Sequence, residues 1–132
     1  LGACPECEGL GKIALFGLEN NSDADDNFEA GYSLTCQSCQ GKRLNQLALA
    51  VTIQNNNLHH VGQLPIKDCL TYFTTLKLNE YEKILVERLM GEIINRLTFL
   101  VDVGLGYLSL NRSARTLSGG EGQRIRLARQ LG

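Results

Sequence analysis

Two stretches of this chain repeat one another, and together they limit how its N-terminal third can fold. Cys4-Pro5-Glu6-Cys7-Glu8-Gly9 and Cys36-Gln37-Ser38-Cys39-Gln40-Gly41 each read C-x-x-C-x-G. Two residues between cysteines let a tight turn aim both sulfurs at one tetrahedral metal, and the glycine lets the backbone curl so that amides face the thiolates. Two such knuckles supply four thiolates, the closed set of a structural zinc site. The spacing therefore predicts one Zn2+ held by Cys4, Cys7, Cys36 and Cys39. One C-x-x-C would also suit a redox pair; two matched copies argue against it. A fifth cysteine, Cys69, makes the count odd, which speaks against an extracellular disulfide framework and for a reducing cytoplasm.

Between the knuckles, Lys12 to Leu15 reads as a short strand. Asn20 to Glu29 is acidic and polar, and a mobile loop is expected over residues 17–31. Asp23, Asp25 and Glu29 offer oxygen ligands, but the spacing of a calcium-binding EF-hand is absent. Leu47 to Ile53 and Leu58 to Val61 read as strands of a hairpin across Gln54-Asn55-Asn56-Asn57. His59 and His60 fall on its second arm, as polar strand positions rather than ligands, since four thiolates already close the site. Pro65 pre-sets a helix over Ile66 to Leu76, with Cys69, Leu70, Phe73 and Leu76 on one face. That makes Cys69 a buried small hydrophobe.

Asn79 with Glu82 three residues on predicts the start of the longest helix, Glu80 to about Val103, closed by Gly104. Val86, Met90, Ile93, Leu97 and Leu100 form its apolar seam. Ile84, Leu85, Ile94, Phe99 and Val101 widen that seam, which predicts burial on more than one side. Leu105 to Leu110 is expected to return as an extended segment.

The most specific string is Thr116-Leu117-Ser118-Gly119-Gly120-Glu121-Gly122-Gln123-Arg124. Ser118 followed by Glu121 is a capping box, so a helix should begin here. Gly119 and Gly120 are poor helix formers, but they leave bare N–H groups at the positive end of a helix dipole, a geometry that binds phosphates. The Ser118 hydroxyl has two possible jobs, capping the Glu121 N–H or turning outward to a phosphate. Beyond it, Ile125, Leu127, Ala128 and Leu131 share one arc of the helix. Arg124 falls inside that arc, either paired or solvated at the helix end.

The chain of 132 residues is about one domain. Net charge of -1 and pI near 6.1 make no whole-chain case for nucleic acid or membrane. Charge is uneven: seven acidic residues and one lysine precede Cys36, whereas five of the thirteen basic residues lie between Arg112 and Arg129. No stretch is long and apolar enough for a membrane span, and no basic-then-apolar leader is present. The absence of an initial methionine, and the stop just after the helix that begins at Ser118, read as a piece of a longer protein. The expected fold class is α+β. It comprises a Cys4 zinc module over 1–46 and a mainly helical subdomain over 47–132, the latter including the hairpin.

L-S-G-G-E-x-Q-R, carried by Leu117, Ser118, Gly119, Gly120, Glu121, Gln123 and Arg124, resembles the signature motif of ABC-type ATPases, with Glu121 where glutamine is usual. Together with both cysteine knuckles and the run from Arg96 to Gly132, the chain resembles the UvrA family, the damage-recognition ATPases of bacterial nucleotide excision repair. That resemblance implies the first of two signature domains in a cytoplasmic, homodimeric excinuclease subunit of the SOS response, which binds damaged DNA and loads UvrB. It also implies that the signature residues close on ATP/Mg2+ held by the opposing half. Two departures matter. Only 28 residues separate Cys7 from Cys36, where the family carries a large insertion domain. Neither G-x-x-x-x-G-K-[ST] nor a Walker B strand is present, so this segment alone should not hydrolyse ATP, and it contributes no catalytic residue. Lys42, Arg43, Arg112 and Arg115 are the candidate DNA-backbone contacts. The other readings are a different ABC-type ATPase subunit and a DnaJ-like zinc-binding chaperone module.

Overall fold

A computed structural model describes residues 2–14 and 33–131, the side chains of 128–131 excepted. The polypeptide is α+β and mainly helical, and it divides into two compact units, Leu1–Leu58 and His59–Gly132. The expected acidic loop, and the calcium reading of Asp23, Asp25 and Glu29, lie outside the described residues.

In the first unit the two knuckles use one backbone recipe. Glu8 and Gln40, each directly after the second cysteine of its pair, have left-handed φ of 49° and 51°, and Gly9 and Gly41 follow at 86° and 79°. The same turn closes both: Leu10 N–H donates to Cys7 O at 2.7 Å and Lys42 N–H to Cys39 O at 2.9 Å. Strands β1 (Lys12–Ala14) and β2 (Ser33–Thr35) then pair antiparallel, with Lys12 opposite Thr35 and Ala14 opposite Ser33. Across the other side, Cys4 N–H donates to Arg43 O and Asn45 N–H to Gly2 O.

Residues 47–50 are a correction. The expected strand is helix α1 (Gln46–Ala50), capped by Asn45, whose side chain accepts from Ala48 N–H at 2.8 Å. Leucine and alanine are the better helix formers, and the cap decides between the two periods. The hairpin survives only as β3 (Thr52–Ile53) and β4 (Asn56–Asn57), turned by Gln54 and Asn55 with φ of 47° and 64°. Paired left-handed residues are what a two-residue hairpin turn requires. Asn57 Nδ2 donates to Leu49 O, tying the hairpin to α1. Both elements therefore belong with the cysteine unit, although the sequence groups them with residues 47–132.

The second correction is the expected strand at Leu58–Val61, which is helix α2 (Leu58–Gln63). Val61 and Leu64, three apart, meet the core as a helix turn presents them. Helix α3 (Ile66–Thr74) starts after Pro65 and buries Ile66 and Cys69. Cys69 is fully buried, which pushes its thiol pKa up. Helix α4 (Glu80–Asp102) opens with the expected reciprocal cap: Glu82 N–H donates to Asn79 Oδ1 at 2.8 Å and Asn79 N–H to Glu82 Oε2 at 2.9 Å. It closes at Gly104, with φ of 79°.

Burial of α4 on several sides is not observed. Leu97 alone on this helix is fully buried, with Ile93, Leu100 and Val101 packed partly against the core, while Ile84 and Leu85 are 77% and 72% exposed. Periodicity gives the face; it does not say how far along the helix a neighbour extends.

Leu105 to Leu110 is a series of turns rather than an extended segment, with one bridge between Pro65 and Ser109. Leu105 and Leu108 plug the core with Val61, Ile66, Cys69 and Leu97. Their carbonyl neighbourhood feeds α3: Ile66 N–H donates to Leu108 O at 2.7 Å and Lys67 N–H to Gly106 O at 3.0 Å. Proline at the N-cap has no capping side chain, so the turn segment supplies these acceptors.

Asn111 closes α2 in turn, its N–H donating to Gly62 O and its Nδ2 to His59 O. A Cβ on Gly62 would stand 2.6 Å from Asn111 Oδ1, whereas one on Gly91 of α4 would meet nothing. Gly62→Ala should therefore cost about 1–3 kcal/mol of stability. Gly91→Ala should add up to about 1 kcal/mol. Denaturant unfolding followed by circular dichroism tests the contrast, and equal shifts for the two would contradict it.

Candidate functional site

Four buried sulfurs form one candidate site. Cys4, Cys7, Cys36 and Cys39 all lie at or below 5% exposure, and their Sγ atoms sit within 4.8 Å of one another. Cys4 and Cys36 are 3.9 Å apart, Cys7 and Cys39 3.6 Å. Tetrahedral zinc with Zn–S of about 2.3 Å would set sulfur–sulfur edges of about 3.8 Å, which the two closest pairs already match, so the donor set suits such an ion. Gly11 N–H donates to Cys7 Sγ at 3.2 Å, the amide-to-sulfur contact that the knuckle was expected to provide. Among the described residues this is the only metal-capable cluster, and His59 and His60 on α2 take no part in it.

The thiols do not ionise alike. Burial pushes Cys4 up, but backbone N–H groups of Cys7 and Glu6, with hydrogen bonds from Cys7 and Cys39, outweigh it and bring the pKa down to about 7. At Cys36 the backbone N–H of Cys39 pulls down, yet burial and the Cys39 and Cys7 sulfurs prevail and push it up to about 11. Without a cation the cluster resists a full set of thiolates, because each new charge raises the cost of the next. A bound divalent metal removes that obstacle and releases the protons.

The second site is the turn into α5 (Gly119–Leu131). One 3-10 turn at Ala114–Thr116 leads into it. The reciprocal cap is present: Ser118 N–H donates to Glu121 Oε2 at 2.7 Å, and Glu121 N–H to Ser118 Oγ at 3.3 Å. A Cβ placed on Gly119 or Gly120 would meet nothing within 4 Å. Leu117, Ser118, Gly119, Gly122, Gln123 and Arg126 line an open hollow beside them. Ile125 and Leu127, from the expected apolar arc, are 36% and 48% exposed.

Arg124 is paired, though not with Glu121: its Nη1 donates to Val103 O at 3.3 Å. A cation thus meets the negative end of α4, whose own last turn carries no basic residue. Glu121 is occupied by partners that the sequence did not single out for it. Tyr107 Oη donates to Glu121 Oε1 at 2.5 Å, and Arg112 Nη2 lies 3.7 Å from Oε2. The Tyr107 hydrogen bond holds the Glu121 carboxyl below the usual carboxylate range, and the same contact pushes the Tyr107 phenol up. Tyr107 falls within the Arg96–Gly132 run that carries the family resemblance, but the sequence assigns it no partner; its contact with the glutamate does.

Lys42 and Arg43 lie beside the second knuckle, Lys42 half-buried and Arg43 exposed. Arg112 and Arg115 belong to the second unit. Arg112 donates from Nε to Thr116 Oγ1 at 3.2 Å and from Nη2 to Thr116 O at 2.8 Å.

With this geometry in view, comparison with known proteins is decisive. No family model matches the chain. UvrABC system protein A of Streptomyces avermitilis is 51% identical over 116 residues, covering 86% of this chain and 12% of the relative. The same protein of Mycoplasmopsis pulmonis is 50% identical over 125 residues, covering 93% of this chain and 13% of the relative. The chain belongs to the UvrA family. In three dimensions it superposes on crystalline UvrA2 from Deinococcus radiodurans with a TM-score of 0.70 at 29% identity, over 98% of this chain and 13% of that one. The UvrA-family segment described here thus spans about an eighth of the length of its relatives. No helix among the described residues is long and apolar enough to cross a membrane.

The cysteine cluster is the more directly testable of the two sites. Cobalt(II) titrated into metal-free protein should give the absorption of a tetrahedral four-sulfur complex at about one equivalent. Cys36→Ala should lose that spectrum, and an unchanged spectrum in the variant would remove Cys36 from the ligand set.

Proposed function

We propose that this segment serves in a cytoplasmic UvrA-type ATPase of bacterial nucleotide excision repair, where its Leu117–Arg124 turn closes over the γ-phosphate of ATP/Mg2+ held by the opposing nucleotide-binding half. The observation that carries the reading is the turn itself. Ser118 and Glu121 cap α5 reciprocally, and no side chain stands over the exposed Gly119 and Gly120 that follow Ser118. Such a turn offers hydrogen-bond donors and the positive end of a dipole to an anion. The Ser118 cap is worth about 1 kcal/mol, against roughly 1.5–3 for a bond to a charged phosphate. In this reading the hydroxyl caps the helix in the free state and is exchanged for phosphate on closure.

The same proposal assigns Zn2+ to Cys4, Cys7, Cys36 and Cys39 in a structural role. A closed four-thiolate set has no open coordination position for substrate, so its contribution is to lock the two knuckles together. Within the parent dimer, a second copy of the protein, UvrB and damaged duplex DNA are the partners. The sequence supplies no Walker A or Walker B element, so the segment acts by completing a nucleotide site built elsewhere.

Gly120→Ala separates nucleotide closure from folding. A methyl group there meets open space, so the segment should be as stable as before or gain up to about 1 kcal/mol. In the full-length protein the same methyl stands between the N–H groups and the incoming phosphate. Steady-state ATPase should fall sharply while nucleotide binding is largely kept, and normal turnover would mean that the glycines serve the loop alone.

Lys42 and Arg43 in the first unit, and Arg112 and Arg115 in the second, are each proposed as DNA-backbone contacts of the parent. Because Arg112 is engaged with Thr116 and Glu121, the sharper test falls on the other unit. Replacing Lys42 and Arg43 by alanine should weaken binding to all sequences and flatten the salt dependence by about one unit for each phosphate that the pair neutralises. An unchanged slope would make them solubilising charges.

A further inference from the structure

We propose that Tyr107 and Arg112 are positioning residues of the signature turn: they hold and mask the Glu121 carboxylate, so that a turn carrying a negative charge can still receive an anionic nucleotide. The inference rests on the closure proposed above and adds to it residues outside the signature string.

The difficulty they resolve is electrostatic. A carboxylate in the first turn suits the helix dipole of α5, but it also repels a phosphate approaching the same N–H groups. In the structure that charge is not presented outward. One oxygen, Oε1, accepts from Tyr107 Oη at 2.5 Å, and the other, Oε2, accepts from Ser118 N–H at 2.7 Å with Arg112 Nη2 at 3.7 Å. The Glu121 side chain is 11% exposed. Arg112 is itself aimed by Thr116, through the backbone carbonyl at 2.8 Å and the hydroxyl at 3.2 Å. Thr116 stands two residues before Ser118, so the cation is fixed to the loop that it serves.

The inequality of the cap follows from this arrangement. Two short hydrogen bonds and the Arg112 ion pair fix the carboxylate, whereas the bond from Glu121 N–H to the Ser118 hydroxyl is the long one at 3.3 Å. The carboxylate therefore keeps the turn in shape while the hydroxyl is the member that can leave. Removing Tyr107's hydroxyl frees Oε1 to rotate outward and puts a negative charge at the mouth of the turn. Removing the charge as well cancels that harm, because a glutamine at this position still accepts from Ser118 N–H.

The test uses the full-length UvrA-type protein carrying this segment, with steady-state ATPase and nucleotide binding measured for Tyr107→Phe, Glu121→Gln, the double variant and Arg112→Gln. Tyr107→Phe and Arg112→Gln should each lower kcat by roughly tenfold, the scale expected for losing a bond to a charged group. Nucleotide binding to the Walker half should be retained. The Tyr107→Phe defect should shrink as salt rises, since the freed charge is exposed and screened. Glu121→Gln placed on Tyr107→Phe should restore most of the missing turnover, a coupling that a merely structural tyrosine would not show. Normal turnover in Tyr107→Phe, or a double variant no better than Tyr107→Phe, would overturn the proposal. Gly120→Ala measured alongside separates the two readings. If it too turns over normally, closure of this turn on nucleotide fails; if it is impaired while Tyr107→Phe is not, only the carboxylate clamp fails.

Discussion

Backbone groups at helix ends have to find partners, and in the second unit one short segment supplies partners at most of the junctions. Gly104 and Leu105 donate back to Val101 and Leu100 and so end α4. Gly106 and Leu108 offer carbonyls to the first N–H groups of α3, Asn111 satisfies the end of α2, and Tyr107 reaches the first turn of α5. Between these polar contacts Leu105 and Leu108 are buried in the core. The segment therefore works as a keystone: its side chains alternate between filling the core and reaching a helix terminus. Val61, Ile66, Cys69 and Leu97 complete that core, so the stretch secures the helix ends around the packing that α3 and α4 make with each other.

Both cysteine knuckles were legible from spacing alone, as were the caps at Asn79 and Ser118, because each rests on side-chain chemistry acting within four residues. The two expected strands that are helices share one cause. Leu47–Ala50 and Leu58–Val61 are short apolar runs in which a period of two and a period of 3.6 cannot be told apart. Helix won because Asn45 caps one run and Asn111 closes the other, and Asn111 reaches His59 across 52 residues of sequence. For α4 the sequence showed which face is apolar, but nothing in it tells where α3 stops covering that face. The exposed Tyr81, Ile84, Leu85 and Leu89 mark that limit.

The signature turn shows the same division. Its cap was readable, and the bare glycines with it, whereas the partners of Glu121 and Arg124 were not. Tyr107 reaches Glu121 from fourteen residues back, and the acceptor of Arg124 is a backbone carbonyl at Val103, which no side-chain pattern could announce. The start of α5 is thereby tied to the end of α4 and to the turn segment that follows it by two contacts of opposite sense, a guanidinium donating to Val103 and a carboxylate accepting from Tyr107. A displacement of α5 that broke one would strain the other.

The pairing of Ala14 with Ser33 has a consequence for the length of chain between them. Those residues lie side by side on neighbouring strands, so whatever joins them leaves and re-enters at nearly the same point. Closing a flexible connection costs entropy that grows only logarithmically, about 0.6 kcal/mol for each doubling of length. Four sulfurs gathered on one cation would fix the two ends regardless. Paired strands and a four-cysteine cluster thus make a docking bracket whose closure depends little on the length of chain that joins its two arms.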